Sequence, residues 1–197
     1  MTLTTFQLGA LETNCYILES EDRHAVLVDP AARGEQLADW LAGRGLTLDA
    51  IFLTHLHFDH IGGLRALTER TGAPVYLHPA DLAIRDQMAH GKLTETLPYP
   101  DRLTAAGTEF TIYHTPGHSP GAVCIRAGEF FFTGDTLFAE CCGRTDLPGG
   151  SAREMRDSLR LLASLTGECA VLPGHGESST LAHEQQFNPY LLEAVQE

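Results

Sequence analysis

Between residues 54 and 60 the chain reads Thr54-His55-Leu56-His57-Phe58-Asp59-His60, entered by the apolar run Ile51 to Thr54 and followed by Ile61-Gly62-Gly63 at the head of a helical pattern. In an extended segment His55 and His57 point to the same side, so one cation can take both imidazoles. Asp59 and His60 lie where the chain turns into the helix and can face the same cleft. Four ligand-type side chains in six residues exceed what one open catalytic ion takes from a single segment, and two adjacent ions would use them. A solvated loop with Asp59 capping the helix is the competing reading.

The same chemistry recurs three times, each at a strand end beside turn residues. His118 sits in Thr115-Pro116-Gly117-His118-Ser119-Pro120-Gly121, Asp135 in Thr133-Gly134-Asp135-Thr136, and His175 in Leu172-Pro173-Gly174-His175-Gly176. Glycine at such points lets backbone bend tightly and approach a crowded site. His55, His57, His60, His118 and His175 with Asp59 and Asp135 make a nitrogen and carboxylate set without thiolate. That set suits zinc, iron or manganese, and a carboxylate is the natural bridge between two cations.

The surrounding pattern is α/β. Asn14 to Leu18 and Ala25 to Val28 read as a hairpin, Leu37, Trp40 and Leu41 as a helix stopped by Gly43 and Gly45, Ile51 to Thr54 as a strand, and Ile61, Leu64 and Leu67 as a second helix. Val75 to Leu77, Phe110 to Tyr113, Val123 to Ile125, Phe130 to Thr133 and Ala170 to Leu172 read as strands. Leu97-Pro98-Tyr99-Pro100 reads as an irregular loop. Ser151 and Glu154 carry a capping-box signature ahead of Met155, Leu159 and Leu162, and a last helical stretch from about Thr180 is interrupted at Asn188-Pro189. Two groups of strands with intervening helices predict two sheets sandwiched between helices, and 197 residues suit one domain, 1–197.

Composition narrows the partners. The net charge is −13, and the twelve Arg and one Lys (Lys92) form no cluster that could track a phosphate backbone, so nucleic acid is not expected. No run reaches the ~20 apolar residues of a membrane span, and Met1 to Ser20 lacks the features of a secretory signal. A cytoplasmic protein with no membrane contact is expected. Five cysteines without regular spacing fit reduced thiols.

Taken together, His55-x-His57-x-Asp59-His60 followed by His118, Asp135 and His175 in these glycine-rich settings resembles the metallo-β-lactamase-fold hydrolases, from about Cys15 to His175 and including Val28-Asp29-Pro30. The resemblance implies a metallo-β-lactamase-like αββα sandwich of two mixed sheets flanked by helices. It also implies that His55, His57 and His118 hold one metal, that Asp59, His60 and His175 hold the other, and that Asp135 bridges them. Asp29 would lie behind the ligands, orienting a ligand histidine or its loop. A plain strand-end Asp-Pro turn is the alternative for Asp29.

Within the fold, Thr133 to Phe138, then Cys142-Gly143-Arg144-Thr145-Asp146 and the late Phe187-Asn188-Pro189-Tyr190, resemble the small bacterial glyoxalase II-like, or hydroxyacylglutathione hydrolase, group. The implied function is thioesterase cleavage of S-D-lactoylglutathione or a related small acyl-thiol. Its attacking group would be a hydroxide held between two divalent ions, zinc and/or iron or manganese, supported by the carboxylates of Asp59 and Asp135. Larger glyoxalase II enzymes carry a C-terminal helical region that a chain ending at Glu197 does not reach. Arg144 is the charged candidate for a substrate contact, against an ion pair with Asp146. Persulfide dioxygenases share the fold and the Cys142 to Asp146 resemblance but use one iron, and a lactonase is a further alternative.

Overall fold

The computed structural model describes residues 1–196. Among them the strands are β1 (Thr2–Leu8), β2 (Thr13–Glu19), β3 (His24–Val28), β4 (Thr47–Phe52), β5 (Val75–Leu77), β6 (Leu97–Pro98), β7 (Arg102–Ala105), β8 (Thr108–His114), β9 (Val123–Ala127), β10 (Phe130–Gly134), β11 (Leu137–Phe138), β12 (Cys141–Cys142), β13 (Ala170–Pro173) and β14 (Ser179–Thr180). The helices are α1 (Gly34–Gly43), α2 (Leu64–Thr71), α3 (Arg85–Met88), α4 (Ala152–Ala163), α5 (Leu181–Phe187) and α6 (Pro189–Ala194), with a 3-10 turn over Pro79–Ile84 before α3. No helix among the described residues is long and apolar enough to cross a membrane.

One sheet runs β1-β2-β3-β4-β5-β6 and the other β14-β13-β10-β9-β8-β7. In the first, β3, β4, β5 and β6 are mutually parallel, and β1-β2-β3 is an antiparallel meander. In the second, β10 and β13 are parallel and the other pairs antiparallel.

The apolar runs are continuous because these strands bury both faces, and alternate residues enter different cores. From β2 to β4, Cys15, Ile17, Ala25, Leu27 and Ile51 face α1 and α2, while Tyr16, Leu18, Val26, Val28, Ala50 and Phe52 face the other sheet. In β9, β10 and β13, Ile125, Phe132 and Leu172 enter the central layer, whereas Cys124, Phe131 and Val171 pack under Met155 and Leu159 of α4 and Leu191 of α6. Helix, sheet, sheet and helix therefore stack in four layers with three apolar interfaces, the αββα sandwich expected from the sequence.

Several elements differ from the sequence reading, three of them instructively. β1 was not foreseen because its alternating, polar-rich Thr2-Leu3-Thr4-Thr5-Phe6-Gln7 belongs to a half-exposed edge strand. Leu97-Pro98 is not an irregular loop: it is the edge strand paired parallel to β5, a place where a proline's missing N–H is tolerated. Helix α2 begins at Leu64, with Gly63 rather than Asp59 at its cap position, which leaves Asp59 free of any capping role.

Ser151 caps α4 by accepting the Glu154 N–H at 3.2 Å, while the Ser151 N–H is taken by the Gly117 carbonyl at 2.8 Å instead of by the Glu154 side chain. Half of the reciprocal box is therefore used to tie α4 to the loop that carries His118. Ser151→Ala is expected to cost about 1 kcal/mol, read as a lower urea midpoint with an unchanged slope.

Candidate metal centre

The residues singled out in the sequence converge on one edge of the sandwich, outside the C-terminal ends of β3 (Asp29), β4 (His55 to His60), β8 (His118), β10 (Asp135) and β13 (His175). Open α/β sheets place their ligand sites at such strand ends. Backbone bonds lock the loops together: Val123 N–H to Thr54 O at 2.8 Å, Gly174 N–H to Gly134 O at 2.8 Å, and Asn14 N–H to Gly174 O at 2.7 Å. The Asn14 amide and Tyr16 hydroxyl add bonds to Pro173 O, at 3.0 and 2.7 Å.

Two histidine clusters share a carboxylate. His55, His57 and His118 offer one nitrogen each within 4.8 Å of one another, as do the ligand atoms of Asp59, His60 and His175, and of His55, His60 and Asp135. Asp135 reaches both clusters, Oδ1 lying 3.4 Å from His60 Nε2, and Oδ2 lying between them, 3.5 Å from His118 Nε2 and 3.6 Å from His175 Nε2. Asp59 Oδ2 lies 3.2 Å from His175 Nε2.

The partners behind the rings decide which nitrogen faces inward. His118 Nδ1–H donates to Arg144 O at 2.8 Å and His175 Nδ1–H to Leu11 O at 3.0 Å, and a carbonyl can only accept. His60 Nδ1–H donates to Asp29 Oδ2 at 2.8 Å. The Thr54 hydroxyl donates to Asp29 Oδ2 at 2.6 Å and is left to accept from His55 Nδ1–H at 3.0 Å. Each of these four rings therefore turns its Nε2 to the centre. Asp29, nearly fully buried, also accepts the Thr54 N–H at 2.8 Å, so it holds both a histidine and the loop.

The electrostatics are those of a preformed cation site. Burial, reinforced by the neighbouring histidines, pushes His55 well below the usual histidine range, and burial with His118 takes His57 down to about 3. Burial opposes ionisation of Asp59 and Asp135, yet the surrounding histidines outweigh it and hold both carboxyls below the usual range. His55 Nε2, His60 Nε2 and Asp135 Oδ1 are buried without a hydrogen-bond partner, while His57 turns Nδ1, not Nε2, to the cluster, 2.8 Å from His118 Nε2. Stranded buried polar atoms are costly, and a bound cation would satisfy those of His55, His60 and Asp135. The donor set and these orphans fit divalent metal.

A cavity of about 540 Å³ opens over this centre. Beyond the ligand residues its wall is largely apolar, with Leu11, Phe58, Met88, Phe138 and Leu147. The segment after Met88 borders the cleft: His90 stacks on Phe58, and Lys92 Nζ reaches Phe58 O at 3.3 Å. Arg144 lines the cavity too, but its guanidinium is held by Asp146 in two bonds of 2.7 and 2.8 Å. The function of the Arg144 carbonyl in fixing His118 had no sequence signal.

Of the two cysteines in β12, Cys141 is exposed and Cys142 half-buried against the core under α4. His24, His78, His114 and His183 lie outside the ligand clusters, His24 paired with Asp49 and His183 with Glu140.

Comparison with known proteins agrees with this geometry. The metallo-beta-lactamase superfamily matches residues 8–175. A probable metallo-hydrolase, YqgX of Bacillus subtilis, is 35% identical over 93% of this chain and 94% of its own, and the hydroxyacylglutathione hydrolase GloC of Haemophilus influenzae is 29% identical over 97% and 98%. Among solved structures, the B3 metallo-beta-lactamase BLEG-1 superposes with a TM-score of 0.85 (34% identity, 96% of this chain and 99% of that one). TTHA1623 in a di-iron-bound form gives 0.82 (39%, 95% and 99%), and ETHE1 from Myxococcus xanthus 0.81 (31%, 96% and 84%). With the family match spanning most of its length and the fold shared throughout, the chain belongs to the metallo-beta-lactamase superfamily.

Proposed function

We propose that this protein is a two-metal hydrolase of the glyoxalase II type, cleaving the thioester of S-D-lactoylglutathione or a related acyl-thiol. His55, His57 and His118 would hold one cation, Asp59, His60 and His175 the other, and Asp135 lies where it could serve both. When bound, two divalent cations supply a water nucleophile at neutral pH and a Lewis acid for the scissile carbonyl. Asp59 and Asp135, kept ionised, balance the cation charge and offer carboxylate oxygens to a water proton. The apolar wall of Leu11, Phe58, Met88, Phe138 and Leu147 excludes bulk water around the reacting bond, which strengthens every charge interaction there.

The observation that carries the thioester reading is the make-up of the cavity wall: among its lining residues Arg144 is the one titratable group outside the metal set, held by Asp146, and the Lys92 ammonium at the border is turned to the Phe58 carbonyl, so no group is aimed into the cavity as a proton donor. A thiol, with a pKa of about 8.5, departs as thiolate without help, whereas an amine needs a general acid. The resemblance to GloC supports the same substrate class, and the di-iron form of TTHA1623 supports a two-metal centre. The deciding measurement is metal per chain together with S-D-lactoylglutathione hydrolysis on one chelator-controlled sample. Two metals with chelator-sensitive turnover are expected. One iron per chain, no hydrolysis and dioxygen-dependent persulfide oxidation would move the protein to the dioxygenase class.

A further inference from the structure

Asp81 lies in the 3-10 turn between β5 and β6, far in sequence from every metal candidate. Its carboxylate is fully buried and pairs with no cation. Instead Oδ2 accepts the N–H of Leu56 at 2.9 Å and Oδ1 the N–H of Gly121 at 2.6 Å. Leu56 stands between His55 and His57, and Gly121 closes the turn that begins at His118. One carboxylate thus grips both backbone segments that carry the first histidine cluster. The approach depends on Gly121 having no side chain, since a Cβ there would fall 2.9 Å from Asp81 Oδ1 and 2.6 Å from the Asp81 nitrogen.

We propose that Asp81 is a positioning residue that clamps the His55–His57 segment to the His118 loop and so presets the first metal site, as Asp29 orients His55 through Thr54 and His60 directly. The inference rests on the two-metal reading above. Both of its partners are backbone N–H groups, which can only donate, so the site demands two acceptor oxygens. Asparagine, nearly the same shape, must turn its NH₂ against one of them.

The test reads metal affinity, not turnover. Zinc is titrated into metal-free protein against a competing chelator, and the ring resonances of His118 and His175 distinguish the two sites. In folded Asp81→Asn the site of His55, His57 and His118 is expected to weaken by about 10- to 100-fold, with the site of His175 retained. Gly121→Ala, which displaces the carboxylate without removing it, should reproduce this. Glu184→Gln is the control: Glu184 is equally buried and accepts the Glu140 N–H and the Asn188 amide at 2.8 Å each, away from the ligands, so it should lower thermal stability and leave both zinc affinities unchanged. In metal-free wild type the amides of Leu56 and Gly121 should exchange with solvent as slowly as strand amides, a readout that needs no variant to fold. Two wild-type-strength sites in Asp81→Asn, or loop-like exchange at both amides, overturns the proposal. A wild type that binds a single zinc sinks the two-metal reading instead, and Asp81 is then judged on that site's affinity and on amide protection.

Discussion

Asp135→Ala is expected to abolish thioester hydrolysis, lose metal from both sites and leave the fold in place. Among the described residues, its carboxylate is the one that reaches both clusters, with Oδ1 toward His60 and Oδ2 toward His118 and His175. Removing it takes away one donor from each cation and the negative charge that lies between them. Changing a residue that merely supports a ligand costs about 10- to 100-fold in affinity or activity, so loss of the shared carboxylate should exceed that range. The fold should persist because Asp135 lies on a loop beyond β10, while the three apolar interfaces are formed by residues such as Leu27, Phe52 and Phe131. Metal content, turnover and far-ultraviolet circular dichroism on the same sample check all three parts. Near-wild-type turnover in the folded variant would overturn the assignment of Asp135 as the bridge.

How far the centre was legible in the sequence depends on how local each signal is. His55 and His57 could be paired because a strand's period of two puts both on one side, and His118, Asp135 and His175 stood out because each sits among turn residues at a strand end. Asp81 was invisible for the opposite reason. Its partners are backbone amides 25 and 40 positions away, and a backbone amide has no residue identity to recognise. The same holds for the Arg144 and Leu11 carbonyls that set the tautomers of His118 and His175. For the fold, strands buried on both faces announced themselves as apolar runs, whereas β1 and the two-residue β6, β11, β12 and β14 carry too little apolar length to be separated from loops.

The glycine before His175 offers an independent way to perturb the centre without touching a ligand, and Gly174→Ala is expected to be as damaging to turnover as Asp135→Ala. A Cβ at this position would stand 2.2 Å from Asp135 Oδ1 and 2.7 Å from His60 Cε1, so one of the three must move. Gly174 cannot, because its N–H is bonded to Gly134 O and its carbonyl receives the Asn14 N–H, at 2.8 and 2.7 Å. His60 is completely buried and fixed by Asp29. The carboxylate of Asp135 is therefore the group displaced, and with it the bridge between the two clusters. Overpacking of this kind costs about 1–3 kcal/mol, which a folded protein can survive while its metal affinity does not. Gly43→Ala, at the end of α1 with nothing within 4 Å of the added methyl, is the matched control and should leave turnover unchanged. Full metal content and wild-type turnover in Gly174→Ala would mean that the centre tolerates a shifted Asp135. The bridging role would then have to be given up, even if Asp135→Ala were inactive.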